Sequence, residues 1–400
     1  MGFLHRTWAE INLDNLVNNF KIIREATRDT AKVLSVVKAD AYGHGAVEVA
    51  RTLEREGTDW FAVSNLEEAL QLRRAGIIKP ILVLGTTPAE YAYVLAKNDV
   101  TQAVYSPEYA EELSHSAVTQ KTVVKIHIKI DTGMHRIGFN ADDENSIADA
   151  IKACKMDGFD VEGVFTHFAS ADKDGDEDGS FTQLQFERFI GAIAKIEAAG
   201  VKFRIRHCCN SAAILTKPEM HLDMVRAGII LYGMMPSGEI SYDGFKPVMS
   251  LKSAVSMVKT VRAGEDISYG RTYTAAEDIT VATVPIGYAD GYIRAFAKGK
   301  VLVDGRFAKI VGRICMDQMM IDITGQDVKL GDTVTLFGRD GDNSISVEEL
   351  SKLANTINYE TVCTLSKRIT RVYNRNGRIV SMTNLLSVKE DNCNEDYQVF

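Results

Sequence analysis

The 400-residue sequence is short of cysteine, has no long apolar run and carries no surplus of basic charge. Its six cysteines (Cys154, Cys208, Cys209, Cys315, Cys363 and Cys393) are irregularly spaced, and no CxxC pair occurs. That pattern argues against a zinc site or a redox pair. Cys208 and Cys209 are adjacent, and because vicinal disulfides are strained, free thiols are expected. No segment approaches the ~20 apolar residues that cross a bilayer. The opening, MGFLHRTWAEINLDN, lacks the apolar centre of a signal peptide, and Arg6 stands where a myristoylation site needs Ser or Thr. A reducing cytoplasm is therefore the expected location. Lys and Arg number 46 against 54 Asp and Glu, a net charge of −8. That balance argues against nucleic acid or an anionic membrane as the partner.

What is present is ordinary globular composition, 46% hydrophobic and 25% charged, long enough to bury a large core without staples. Short β-branched runs recur at Val33–Val37, Phe61–Val63, Ile81–Leu84, Gln102–Tyr105, Val123–Ile130, Val161–Thr166, Arg204–Cys208 and Met224–Ile229. Segments with helical apolar spacing lie between most of them, including Leu13–Ala26, Glu67–Arg74 and Thr182–Ala199. Eight strands alternating with helices predict an α/β fold with an N-terminal (β/α)8 TIM barrel over residues 1–240. Beyond 240 the texture changes to strands joined by turns: Val255–Val261, Ile279–Val284, Gly299–Val303, Phe307–Ile310, Met319–Ile323 and Thr333–Phe337. With one late helix near Ser346–Thr356, residues 241–388 read as a mostly-β domain, and residues 389–400 as a polar tail.

The residues able to do chemistry gather at the C-terminal ends of the barrel strands, the functional face of this fold. Lys38 ends the first, in VVKADAYGHG. A lysine there can form a Schiff base, since desolvation favours its neutral amine; a lone lysine can equally snorkel from the rim. The fifth strand leads to Lys129 and Arg136, the sixth to His167, and the seventh to Asn210-Ser211 before a helix, where backbone N–H groups could hold phosphate. The eighth supplies Arg226, then Gly228 and Ile229. Each alone has a plain structural reading as a cap, an ion pair or a core histidine; their convergence on one face favours a ligand site. Asp174, Asp176, Asp178 and Gly179 imitate a calcium loop, but its twelfth position is Gln185 rather than Glu, which favours a solvated acidic loop and no metal.

From about His5 to Leu386 the chain resembles bacterial alanine racemases. The resemblance rests on AEI at the start, VVKADAYGHG, KIDTGMHRIGF, THFASAD, NSAA, VRAGIILYG, SYGRTY, IGYADGY, GRICMDQ and Tyr359-Glu360, in family order. It implies that Lys38 binds pyridoxal phosphate covalently and that Tyr42, Ser211, Gly228, Ile229 and Tyr359 hold the phosphate, with Asn210 alongside. Arg226 would face the pyridine nitrogen, and Arg136 the phenolic oxygen and the substrate carboxylate. Lys129, often carbamylated in such families, would brace Arg136. Tyr269 would be the second base, and the Met316 backbone would bind the carboxylate. His167 and Arg294 would sit behind Tyr269, and Tyr288 would narrow the entrance. About the first 12 residues would pack with the second domain.

The implied reaction interconverts L- and D-alanine for peptidoglycan, in a homodimer with composite sites. Two bases on opposite faces move the α-proton most simply, and an always-protonated arginine keeps the ring nitrogen unprotonated. A racemase of serine or another small amino acid is the nearest alternative. A barrel decarboxylase fits the motif order less well. A non-catalytic cofactor binder would have no need of Tyr269, Arg136 or Met316. Two further positions are read locally: Cys315 as packing or cavity lining, and His135 as a departure where relatives carry a small or amide residue.

Overall fold

Runs such as Val33-Leu34-Ser35-Val36 and Ile81-Leu82-Val83 are apolar on both faces, as strands covered by a core on one side and helices on the other must be. In the computed structural model, which describes residues 5–173 and 179–386, they form eight parallel barrel strands. In order these are Lys32–Val36, Trp60–Val63, Ile81–Val83, Val100–Val104, Val124–Asp131, Phe159–Phe165, Ile205–His207 and Met224–Ala227. The eighth pairs with the first from Met224↔Lys32 to Ala227↔Ser35. The seventh and eighth meet through single backbone bonds, Asp223 N to Arg206 O and Arg226 N to Cys209 O, each 3.1 Å. The fold is thus a near-closed TIM barrel followed by a mostly-strand domain.

Helix starts follow local chemistry. Asn65, Ser106 and Asn210 each accept a hydrogen bond from the third residue beyond, opening Leu66–Arg74, Pro107–Thr119 and Ser211–Thr216. Gln185, read above against a calcium loop, is buried in Gly179–Ala198. Its amide donates to Thr132 Oγ1 (3.1 Å) and accepts from Ala169 N (2.9 Å), a double role closed to an ionised Glu. Asp174, Asp176 and Asp178 lie outside the described residues, as does the 389–400 tail. No described helix is long and apolar enough to cross a membrane. The described residues hold no cluster of three or more metal-ligating side chains.

The chain divides into two compact units. Leu16–Ala41 and Ala46–Lys246 make one; the other takes the chain from Pro247, the N-terminal segment as far as Asn15, and the turn Tyr42–Gly45. In this second unit Thr7–Asn12 is a strand, antiparallel to Met249–Ala254 and parallel to Thr370–Arg375. The sheet runs on from Met249–Ala254 through Thr333–Asp340, Lys300–Val303, Arg306–Ile310, Met319–Asp322 and Ile279–Val284 to Met257–Val261.

Three features depart from the sequence reading. The strand expected at Val255–Val261 is present over Met257–Val261, and a further strand, Met249–Ala254, precedes it. The late helix, Val347–Leu353, is followed by a second, Asn358–Cys363. A hairpin, Thr370–Arg375 with Arg378–Thr383, closes the domain around Asn376-Gly377, both at positive φ; that dipeptide was a readable turn signal.

Candidate active site

The first barrel strand stops at Val36, and Lys38 opens a left-handed turn rather than ending the strand. Ala39, Asp40, Ala41 and Tyr42 have φ of 53–54°. Such backbone costs roughly 1–2 kcal/mol per non-glycine residue, so neighbours must impose it. Glu68 accepts from Ala39 N at 2.7 Å, Asp40 accepts from Ala46 N at 2.8 Å, and Ala41 N donates to Val37 O at 2.9 Å. Gly43 follows at φ +78°, where a Cβ would lie 2.4 Å from Val362 O.

Within the barrel unit, cations dominate. Arg226 is buried, and its guanidinium donates to Thr166 O (2.7 Å), Cys208 O (2.9 Å), His207 Nδ1 (3.0 Å) and His167 Nδ1 (3.1 Å). Burial lowers its pKa to about 10, against the pull of the Cys208 and Cys209 thiols, which leaves it charged at neutral pH. Cys208 and Cys209 are free thiols, both donating to Met220 O. Lys129 is buried and donates to Ile130 O at 2.8 Å. Burial, with the nearby Arg226, brings its pKa down to about 7. His167 is held well below the usual histidine range by burial and by the charges of Arg226, Lys129, Arg136 and Lys38. Asp131 works the other way on Lys129, raising its pKa against those neighbours.

Arg136 is exposed, in a loop organised by Asp131, whose Oδ1 accepts from Gly133 N, Met134 N and His135 N at 2.9–3.1 Å. His135, at φ +53°, turns its ring to solvent, with Nδ1 3.7 Å from Asp131 Oδ2. Asn210 caps the short helix that Ser211 opens, and Ser211 Oγ accepts from Gly228 N at 2.9 Å. Ile229 then begins a 3-10 turn, Ile229–Tyr232.

The remaining residues belong to the second unit. The Tyr42 and Tyr359 rings lie 6.0 Å apart, and burial, with Tyr359 beside it, pushes the Tyr42 phenol upward. Tyr269 is 72% exposed and so is no part of the domain's core. With Ser268, Gly270 and Cys315 it lines a recess of about 460 Å3, so Cys315 is a cavity-lining residue. Tyr288 N donates to Cys315 O (3.1 Å) and Ala289 N to Met316 O (3.0 Å). Tyr288, Met316 and Arg294 are exposed. His207, Glu68, Asp290 and Arg6 were missed as supporting residues. Only Asp290, inside IGYADGY, carried a local signal.

The family description "Alanine racemase, N-terminal domain" matches residues 11–236, and "Alanine racemase, C-terminal domain" matches 248–373. The chain belongs to the alanine racemase family. It is 46% identical to the alanine racemase of Clostridium tetani over 386 residues, 95% of this chain and 98% of that one. The solved alanine racemase of Clostridium difficile 630 is 44% identical with a TM-score of 0.91, covering 96% of this chain and 100% of that one. The alanine racemase of Bacillus anthracis, solved with bound L-Ala-P, is 39% identical with a TM-score of 0.92, covering 96% and 99%. The resemblance read from the motifs is therefore borne out, and the protein is an isomerase of the alanine racemase class, EC 5.1.1.1.

Proposed function

We propose that this alanine racemase works with pyridoxal phosphate held by Lys38 and moves the alanine α-proton between Lys38 and Tyr269. The observation that carries the reading is the convergence of four cations, Arg226, Lys129, Arg136 and Lys38, on His167. A site built this way suits a ligand with a phosphate and a phenolate, and an amino acid's carboxylate. The residues present fit that group. Bound, it withdraws electrons from the substrate α-carbon and makes the α-proton removable.

The chain's own residues do the rest. Tyr42, Ser211, Gly228, Ile229 and Tyr359 bind the phosphate, with Ser211 set by Asn210. Arg226 donates to the ring nitrogen and, staying charged, keeps it unprotonated. Arg136, braced by Lys129, and the Met316 backbone orient the substrate carboxylate. The Lys38 amine takes or returns a proton on one face and the Tyr269 phenolate on the other. His167 and Arg294 support Tyr269, and Tyr288 with Tyr359 narrows the entrance, favouring alanine over serine. Each site is composite, shared by the two chains of a homodimer. The enzyme is cytoplasmic and supplies D-alanine for peptidoglycan.

Borohydride reduction of the loaded enzyme tests this. A phosphopyridoxyl mass is expected on the Lys38 peptide alone, and L-alanine should convert to a D/L mixture faster than L-serine. Label on another lysine, or a protein that neither binds the cofactor nor racemises, overturns the reading.

A further inference from the structure

Among the described residues the Arg226 guanidinium has four hydrogen-bond partners, none of them a carboxylate. A guanidinium has donors and no acceptor, so the two imidazole nitrogens it touches must both accept. His207 Nδ1 lies 3.0 Å from Arg226 Nη1 and therefore carries no proton. The single proton of neutral His207 must then sit on Nε2, which is 2.9 Å from His127 Nδ1. His127 Nδ1 in turn accepts, and its own proton sits on Nε2. That atom is buried, has no hydrogen-bond partner among the described residues, and faces Glu162 Oε2 at 3.7 Å. Both imidazoles are neutral, because burial lowers both pKa values.

The arrangement is built rather than incidental. His127 precedes Lys129 by two residues on the fifth strand, so both point the same way from it. Its ring occupies space that a side chain on Gly163 would fill, since a Cβ there would lie 2.7 Å from His127 Cε1. His207 is stacked on Phe165 at 4.9 Å and 8°. Glu162 is held by Thr101 Oγ1 at 3.1 Å. Burial works to raise the Glu162 pKa, but His127 and Thr101 outweigh it and keep the group ionised.

We infer that Glu162 and His127 are positioning residues for Arg226. Acting through His207, they impose one proton arrangement in which both imidazoles beside the guanidinium accept, which holds it in a single orientation. The consequence for the cofactor rests on the reading above, in which Arg226 faces the ring nitrogen. The reversed arrangement would set an N–H of His207 against an N–H of Arg226.

The test is long-range 15N–1H correlation on histidine-labelled protein, with and without cofactor. His127, His207 and His167 should all be neutral Nε2–H tautomers at neutral pH. In His127→Phe, which keeps a ring against Trp60 but offers no acceptor, His207 should shift toward Nδ1–H. Its kcat should fall roughly tenfold, the scale of one lost hydrogen bond, with KM little changed. His127→Asn, whose Oδ1 replaces the accepting Nδ1, should restore both the tautomer and most of the rate. Glu162→Leu should leave His127 as a tautomer mixture. An Nδ1–H or cationic His127 or His207 in the wild-type protein overturns the inference, and that measurement decides it even where a variant fails to fold. An unchanged His207 tautomer and kcat in a folded His127→Phe overturns it as well. A protein that does not bind the cofactor overturns the functional reading instead, while the tautomers of the cofactor-free protein still decide this one.

Discussion

Arg6 and Asp290, 284 residues apart in sequence, form a two-pronged ion pair at 3.0 and 2.9 Å. Asp290 is fully buried, accepts from Gly287 N at 3.0 Å and lies 3.6 Å from Arg368. Arg368 also donates to Asp317, next to Met316, at 2.7 Å. The pair thus ties the N-terminal segment to the turn that carries Tyr288. Arg6→Ala leaves a buried carboxylate whose remaining countercharge among the described residues is Arg368. A loss of about 2 kcal/mol is expected, less than the 3–5 kcal/mol of a fully buried pair because Arg6 is partly solvated. Urea denaturation should show a lower midpoint at constant slope; a change below about 0.5 kcal/mol would mean the pair is not structural.

Acid should destabilise the barrel through its histidines. His127, His167 and His207 all have pKa values lowered from 6.5, with burial as the leading cause. As pH falls through 6.5 the unfolded chain takes up protons that the folded one refuses, so stability drops. Unfolding between about pH 6 and 5 should therefore be accompanied by proton uptake, smaller by about one proton in a folded His207→Asn variant. An unchanged slope in that variant would show that His207 titrates normally.

Lys129 behaves in the related sense at higher pH. Its folded pKa of about 7 lies below the ordinary 10.5. Between those values the unfolded chain binds the extra proton, so this residue's contribution to stability rises with pH. The neutral amine is also the form that attacks carbon dioxide. With 13C-labelled bicarbonate, a carbamate signal should grow as pH rises through about 7 and be absent in Lys129→Gln. No signal at any pH would leave Lys129 acting as a free amine.

The shared sites proposed above can be tested by counting. Lys38→Ala and Tyr269→Ala chains should each be nearly inactive. After random exchange about half the dimers are mixed, and one of the two sites in each is intact. Roughly a quarter of wild-type activity should return. Proven exchange without recovery would place Lys38 and Tyr269 in one chain's site.

By itself the sequence determined the alternation of strand and helix through the barrel, because periods of about 2 and 3.6 are local properties. The helix read at Leu13–Ala26 and the strand at Ile279–Val284 are present over those spans. It also determined the family, since VVKADAYGHG and KIDTGMHRIGF are contiguous and distinctive. Only the tertiary structure decided what depends on distant partners. The strand Met249–Ala254 is defined by Thr7–Asn12 and Thr333–Asp340, and its own alternation is too brief to announce it. The turn after Lys38 is left-handed because Glu68 and neighbouring backbone hold it there, against the preference of Ala39 and Ala41 themselves. The proton arrangement around Arg226 joins residues from the fifth, sixth, seventh and eighth strands. Nothing in the local sequence of His127 or Glu162 marks it, because an imidazole's tautomer is set by the atoms facing it, and those are assembled only when the barrel closes.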